Sequence, residues 1–539
     1  MENTADGILK RFETLKNERS TYESFWQDLA KYVLPRKAYV TSPRTPGEKY
    51  AYDVYDATAI QANLVLAAGL HSYLTNPASK WFALSTEDSR TMKNSDVKEW
   101  LSDTETLIYD TLNGSNFSQQ IHELYLDLGT FGTGCLYEEE DPQDIVRFYS
   151  RPISEIYIAE DDRERVDTVY RKFKLTARQA FEKWGDAAGE EVKKAIEAKK
   201  YYDTFDFVHC VTPRYERDVS KSDATNMPYV SYYISYTNRK LISESGYNEF
   251  PFFVPRFNKH NDDVYGSSPA MVAYSDIKML NEIDKTIIRA AQIAIDPPLS
   301  VPNDGYMLPI KWAPRGINYK LRASADDKIE PLLTGVNLPV GFEMEEQRRT
   351  AIKKAFFVDL FLLLAEKQNM TATEVAQRVE EKMLILAPTL GRLMSELLDP
   401  IITRTLNILI RAGRVLPPPQ GLDAYKIEYT SPLARAQRME DIKAINNTIA
   451  MIVPVAQAIP EVLDKINGDV FVDTVAGINK VPPEMIRDED EVGELRQARA
   501  EQQQAMMQMQ AAQSIAETAK TGTDAMKNVK EANGQSAKA

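Results

Sequence analysis

The residues able to do chemistry in this 539-residue chain are few and thinly spread. Gly129-Thr-Phe-Gly132-Thr-Gly134 is glycine-rich enough to suggest a phosphate loop. Such a loop needs a strand before it and a helix after it, so that amides at the helix start face the anion. Here the order reads helix, loop, strand, which predicts a tight turn instead. Glu138-Glu139-Glu140-Asp141 could attract a cation. Consecutive carboxylates on a strand point to opposite faces and converge poorly on one ion, so a solvated strand end is expected. The chain has no GxxxxGK[ST], no GxSxG and no HExxH. Its four histidines are far apart in sequence, and Cys135 and Cys210 cannot build a disulfide framework, which fits a reducing compartment. No catalytic residue, cofactor or metal site is expected. A nuclease built from scattered carboxylates is the remaining enzymatic reading, and no clustered motif supports it.

Charge stripes say more. Lys278, Glu282, Lys285, Arg289 and Gln292 recur at helical spacing, opposite apolar Ala273, Ile277, Leu280, Ile283, Ile287, Ala291 and Ala294. This is either a solvated face with internal ion pairs or a charged wall toward a polyanion or a neighbouring subunit. Arg348, Arg349, Lys353 and Lys354 carry the same ambiguity, with Glu345 spaced for Arg349. Segment 305–325 has no acidic residue and interleaves Lys311, Arg315, Lys320 and Arg322 with Tyr306, Trp312 and Tyr319. That mixture suits phosphate contact or an acidic partner, or is simply an exposed loop. Glu366-Lys367-Gln368-Asn369-Met370 is a polar five-residue break that allows a sharp bend with projecting side chains. Lys367 there hydrates the end of the preceding helix, where its charge suits the helix dipole.

The elements that must position these residues follow from pattern. The net charge of −14, 43% hydrophobic and 27% charged content describe a globular, acidic chain of about three or four domains, not a disordered one or a basic coat. A helix is expected over 6–34, capped by Asp6 and ended by Pro35, with further helices at 57–74, 95–112 and 117–128. Residues 135–175 and 201–257 alternate with period two and predict antiparallel strands. A short helix at 177–184 interrupts them, opened by the Thr176/Gln179 capping box and stopped by Gly185. Helices follow at 268–295, about 40 Å long, and at 342–365, around a proline-rich insert that is irregular or holds β-structure. Thr371 and Glu374 open a helix to 412 that Pro388 and Pro400 should kink or split. A strand at 424–430, helices at 433–458 and 460–478, and an Ala/Gln/Met/Glu-rich tail from 494 complete the chain. Residues 1–10 lack the apolar core of a secretory signal, and Ala355–Ala365, broken by Asp359, is too short to span a bilayer.

Taken together, three motifs resemble one family. Tyr265-Gly-Ser-Ser-Pro-Ala-Met271 with its following helix and Asp296-Pro-Pro-Leu-Ser-Val-Pro302, Met370-Thr-Ala-Thr-Glu-Val375 with Arg378 and Glu381, and Phe131-Gly-Thr-Gly-Cys-Leu136 resemble portal proteins, or head-to-tail connectors, of short-tailed podovirus-type bacteriophages. The resemblance covers roughly residues 5–480 and implies an α+β, mainly helical portal fold assembled as a ring. It implies a wing at 1–265, a first stem helix at 266–295, a clip at 296–341 and a second stem helix at 342–365. A tunnel loop would follow at 366–370, a long wing helix and return strand at 371–430, a crown at 431–485, and a C-terminal barrel or disordered tail at 486–539.

Function follows as expectation: a dodecameric, non-enzymatic conduit for double-stranded DNA in genome packaging and ejection. It would sit at the portal vertex of the virion and, during assembly, in the host cytoplasm. Its implied partners are the terminase large subunit, tail adaptor proteins, and major capsid and scaffolding proteins, with no membrane. Lys367, Gln368, Asn369, Lys278, Lys285, Arg289 and Lys353 become candidate channel or tunnel-loop residues, and Lys311, Trp312, Arg315, Lys320 and Arg322 candidate clip docking residues. Ile277, Leu280, Ile283 and Ile287 become candidates for subunit packing. An acidic chain suits a conduit, because a strongly basic tunnel would hold DNA back. The alternative is a structural virion protein without a channel, such as a tail adaptor or internal scaffold.

Overall fold

The computed structural model describes residues 5–43, 53–86, 94–221, 223–295, 338–362, 385–419, 425–429, 468–479 and 491–509, with short pieces elsewhere. The chain divides into two compact units. The larger comprises Met1–Ala83, Thr106–Leu416 and Tyr429–Gln437; the smaller comprises Leu84–Glu105, Pro417–Glu428 and Arg438–Ala539. In chain order come α1 (Ala5–Val33), α2 (Thr58–Leu74), β1 (Phe82–Ser85), α3 (Ser95–Gly114) and α4 (Phe117–Phe131). Strands β2 (Leu136–Asp141), β3 (Ile145–Ser150), β4 (Ile156–Glu160) and β5 (Val166–Thr176) follow. Next are α5 (Ala177–Trp184), α6 (Glu190–Glu197), β6 (Thr204–Pro213), β7 (Tyr229–Ser235), β8 (Lys240–Tyr247) and β9 (Phe252–Phe253).

The period-two pattern does build antiparallel sheets. One sheet has the order β4-β5-β6-β7-β8, the other β3-β2-β9. Alternation along β6 sends Val208 and Cys210 to one face and Phe207 to the other. The first face receives Ile8, Leu9, Phe12 and Leu15 from α1; the second receives Ala177, Ala180 and Val192 from α5 and α6. Thr176 and Gln179 form the expected capping box, and Gly185 ends α5 at φ +56°. Asp6 departs from its expected role: it lies in the first turn of α1 and accepts a hydrogen bond from Arg239 Nε at 2.7 Å.

The helical half is more broken than its pattern suggests. The first expected long helix is α7 (Pro269–Val272) followed, after Ala273, by α8 (Tyr274–Ile295), with Ser268 Oγ capping the Met271 amide at 3.0 Å. The second begins earlier, as α9 (Leu338–Ala355), and is interrupted at Phe356-Phe357 before α10 (Val358–Leu362). Phe357 sits at φ +58°, a conformation an unbroken helix excludes. Beyond the break, the Phe361 ring packs against Gly69 of α2, where a β-carbon would meet it. Between the two, Leu299–Ser300 pairs antiparallel with Glu330–Pro331, so the insert does contain β-structure.

Of the long helix expected over 371–412, residues 385–411 are described. They form α11 (385–393), a π-helical turn at Met394–Leu398, and α12 (Asp399–Arg411). Pro388 is accommodated in α11, and Pro400 stands at the start of α12. The expected return strand is Lys426–Tyr429. In the smaller unit, helix Gly468–Asn479 is tied to helix 491–509 by Arg496 and Asp469, at 2.6 and 2.8 Å. Among the described residues, no helix is long and apolar enough to cross a membrane.

Candidate functional site

Two of the sequence motifs meet. Helix α4 runs through Gly129 and ends at Gly132, which adopts φ +74°. The Gly132 carbonyl accepts the Phe257 amide at 2.8 Å, Thr133 Oγ1 accepts the Gly266 amide at 2.8 Å, and Ser268 Oγ donates to the Thr130 carbonyl at 2.8 Å. The glycine-rich run is thus the socket for Tyr265–Ser268. Its amides and hydroxyls are spent inside the chain, which confirms a turn rather than a phosphate loop.

The site of interest is the α8–α9 hairpin that this socket anchors. Asn281 fixes it to the loop before α2, accepting the Tyr55 amide at 2.8 Å and donating to the Asp53 carbonyl at 3.2 Å. Arg348 meets Asp276 at 2.7 Å. Arg349 pairs with Asp56 at 2.9 Å, Asp284 at 3.6 Å and, as its spacing suggested, Glu345. The three carboxylates are close enough to share a metal ion, yet the guanidinium of Arg349 contacts all of them. The arrangement is therefore an ion-pair junction between the hairpin and Asp56, in the loop before α2. Burial, with Glu345 and Asp56 alongside, pushes the Asp284 carboxyl up to about 6.

Helix α8 has three distinct sides. One, carrying Ile277, Leu280, Asp284 and Ile287, faces its own chain: Ile277 and Leu280 are only 5% and 1% exposed, and Ile287 rests on Gly341 of α9. The packing of Ile277 and Leu280 is therefore intramolecular, since the returning α9 and other parts of the same chain already cover them. Of the four subunit-packing candidates, only the half-buried Ile283 and Ile287 keep surface for a neighbour. A second side holds Met279, Ile283, Thr286, Ala290 and Ile293, spaced by four and three. Met279 and Ile293 are 43% and 38% exposed. The third carries the charge stripe. Lys278 donates to Asp28 and to Tyr274 Oη, both at 3.2 Å, and Lys285 donates to Glu282 at 3.3 Å. Arg289, and Lys353 on α9, are exposed and have no ion partner among the described residues. Lys367, Gln368 and Asn369, like Lys311, Trp312, Arg315, Lys320 and Arg322, lie outside the described residues.

Sequence reasoning missed a buried charge. Glu138 is not at a solvated strand end: it is fully buried, accepts a hydrogen bond from Thr405 Oγ1 at 3.0 Å, and lies 3.6 Å from Arg404. Burial pushes its carboxyl up to about 8 despite that arginine. Only the last part of the acidic run is solvent-facing, where Glu140 pairs with Arg411 at 2.8 Å. Nothing local marks Glu138, because its cover arrives from α12. Cys135 and Cys210 are free and buried, and burial pushes both thiols up to about 12.

Comparison with known proteins places the chain in one family. Residues 5–486 match the model of a family described as bacteriophage head to tail connecting protein. A portal protein of Salmonella phage epsilon15 is 34% identical over 531 residues, 96% of this chain and 95% of that one. The "Probable portal protein" of Bordetella phage BPP-1 is 34% identical over 523 residues, 95% of this chain and 94% of that one. Among solved structures, a chain from the virion of a native gene transfer agent particle aligns with 74% of this chain and 86% of its own. Its 10% identity and TM-score of 0.37 are too low to argue from.

Proposed function

The chain belongs to the family of bacteriophage head to tail connecting proteins, and from that premise we propose that it is the portal of a virion: a structural, non-enzymatic ring through which double-stranded DNA enters and leaves the capsid. In this reading twelve copies form the vertex that capsid and scaffolding proteins assemble around, and the terminase large subunit and then tail adaptors dock on it.

The observation that carries the reading is the three-sided helix α8. A helix with one side in its own core and a second apolar side uncovered must bury that second side elsewhere, and a spacing of four and three is what a partner helix requires. A copy of the same chain, related by rotation, supplies that helix repeatedly and closes a ring. Met279, Ile283 and Ile293 would form the seam, and Ile287 would flank it. The remaining side, where Arg289 and Lys353 have no ion partner among the described residues, would face the channel together with Lys367, Gln368 and Asn369. The overall charge of −14 per copy would keep most of the wall repulsive to DNA. Lys311, Trp312, Arg315, Lys320 and Arg322 would dock the motor and tail, a role that rests on their composition alone.

Electron microscopy of the purified full-length protein tests this. A ring with a central hole is expected. A solid particle would favour the adaptor or scaffold reading, and a protein that stays monomeric under every assembly condition would overturn the portal reading.

A further inference from the structure

The second face of the five-stranded sheet has two separate covers. Helices α5 and α6 cover one part, where Ala177, Ala180 and Val192 pack with Phe207. The β2–β3 hairpin covers another, where the Tyr137 ring stands 6.2 Å from that of His209 and its hydroxyl meets that of Tyr247 at 2.9 Å. The two covers do not close over Tyr233. That residue lies on β7, with strands on both sides, and stacks on His209 at 4.1 Å, yet its side chain keeps some surface open to solvent.

The opening is edged by cations that the chain leaves without acceptors. Lys183, in the last turn of α5, holds its ammonium 4.7 Å from the ring centre of Tyr233 and 5.4 Å from that of Trp184. Arg151, just past β3, holds its guanidinium carbon 4.4 Å from the ring centre of Tyr149 and 5.6 Å from that of Tyr137. Among the described residues neither side chain makes an ion pair or a hydrogen bond, and Arg151 Nε is buried with no acceptor. Arg171 brings a third charge from β5 and is answered by Glu155 at 2.8 Å. Glu139, on β2, is the other carboxylate that acts on Lys183, and it makes no ion pair with it. Burial holds His209 well below the ordinary imidazole range, and the charges of Arg171, Lys183 and Arg151 add to that. Burial lowers Arg151 too, with Arg171 adding to it. An aromatic ring offsets part of a cation's desolvation but leaves the N–H donors of a guanidinium fork unused. Carboxylates and phosphates fill such a fork.

We infer that Arg151 and Lys183 bind an oxyanion, a carboxylate or phosphate group, in the opening between α5 and β3, with Tyr233 as its floor. With one carboxylate in contact among three cations, the bound group supplies charge that the chain itself withholds. The site lies within one folded chain and does not depend on ring assembly.

Lysine modification of the unmodified full-length protein tests it. Acetylation by an N-hydroxysuccinimide ester, read by mass spectrometry, reports whether the Lys183 amine is occupied. Lys174, exposed and on the opposite face of β5 from Arg171, is the reference in the same sample. Inorganic phosphate or hexaglutamate, compared with sodium chloride at the same ionic strength, should slow Lys183 at least about fivefold relative to Lys174. Protection by one anion and not the other identifies which group the site takes. Arg151→Met, which keeps an apolar stem on Tyr149, should abolish the protection. Equal Lys183 labelling in chloride, phosphate and hexaglutamate overturns the site, and that result needs no variant. Protection that survives in Arg151→Met overturns it as well.

Discussion

Gly132 and Gly266 face each other backbone to backbone: a β-carbon on either would run into the carbonyl oxygen of the other. Neither backbone can retreat, because Gly132 also accepts the Phe257 amide and Gly266 donates to Thr133. Gly266→Ala should therefore cost more than about 2 kcal/mol, as overpacking against backbone does. The control is Gly391→Ala, in a helix with open space around it, which should gain up to about 1 kcal/mol. Thermal unfolding of both variants decides it; equal stability would mean the joint has slack.

Glu138 predicts a pH dependence of definite sign. Its carboxyl titrates near 8 in the fold and near the ordinary carboxylate value unfolded, so the folded state binds the proton more tightly. That contribution is fully present below the unfolded value and is lost as pH rises through about 8, at up to about 1.4 kcal/mol per pH unit. Glu138→Gln should flatten the decline between pH 5 and 8, measured as urea midpoints at several pH values. Parallel profiles for the two proteins would refute it.

The two apolar sides of α8 should separate by mutation. Leu280→Ala removes a buried side chain and should destabilise the subunit itself by about 2–5 kcal/mol. Ile293→Glu, on the uncovered side, should leave subunit melting within about 1 kcal/mol and abolish rings. Mass photometry beside thermal unfolding distinguishes the two. Normal rings from Ile293→Glu would remove that side from the seam.

Arg289 and Lys278 should differ although they share a stripe. Lys278 is tied to Asp28 and Tyr274, whereas Arg289 has no ion partner among the described residues. Arg289→Glu should shorten the DNA retained per particle in an in vitro packaging reaction, with Lys278→Ala near normal. Full-length retention by intact Arg289→Glu rings would exclude it from the channel.

How far the sequence could be read depended on distance along the chain. The Thr176/Gln179 box and the alternation in β6 are short-range, and each appears where its spacing puts it. Past the break at Phe357, Phe361 packs on Gly69, nearly three hundred residues earlier, and no local window contains that contact. Glu138 looked solvated because Thr405 covers it from 267 residues away. Ile277 and Leu280 looked available to a neighbour because α9, which shares in their cover, returns only after the long insert. The irregularity before Pro400 was legible, because a proline inside the 371–412 pattern cannot continue an ideal helix, and a π turn stands at Met394–Leu398.

The two cysteines have a practical consequence. With both side chains enclosed and their acidity suppressed, the folded protein should be inert to maleimides and to air oxidation. Cys135 lies just before β2, beside the α4 socket, and Cys210 lies mid-sheet under α1. Dye uptake at one or the other would therefore report which of these two places had opened, giving an unmodified sample its own tamper indicator during purification, storage or assembly.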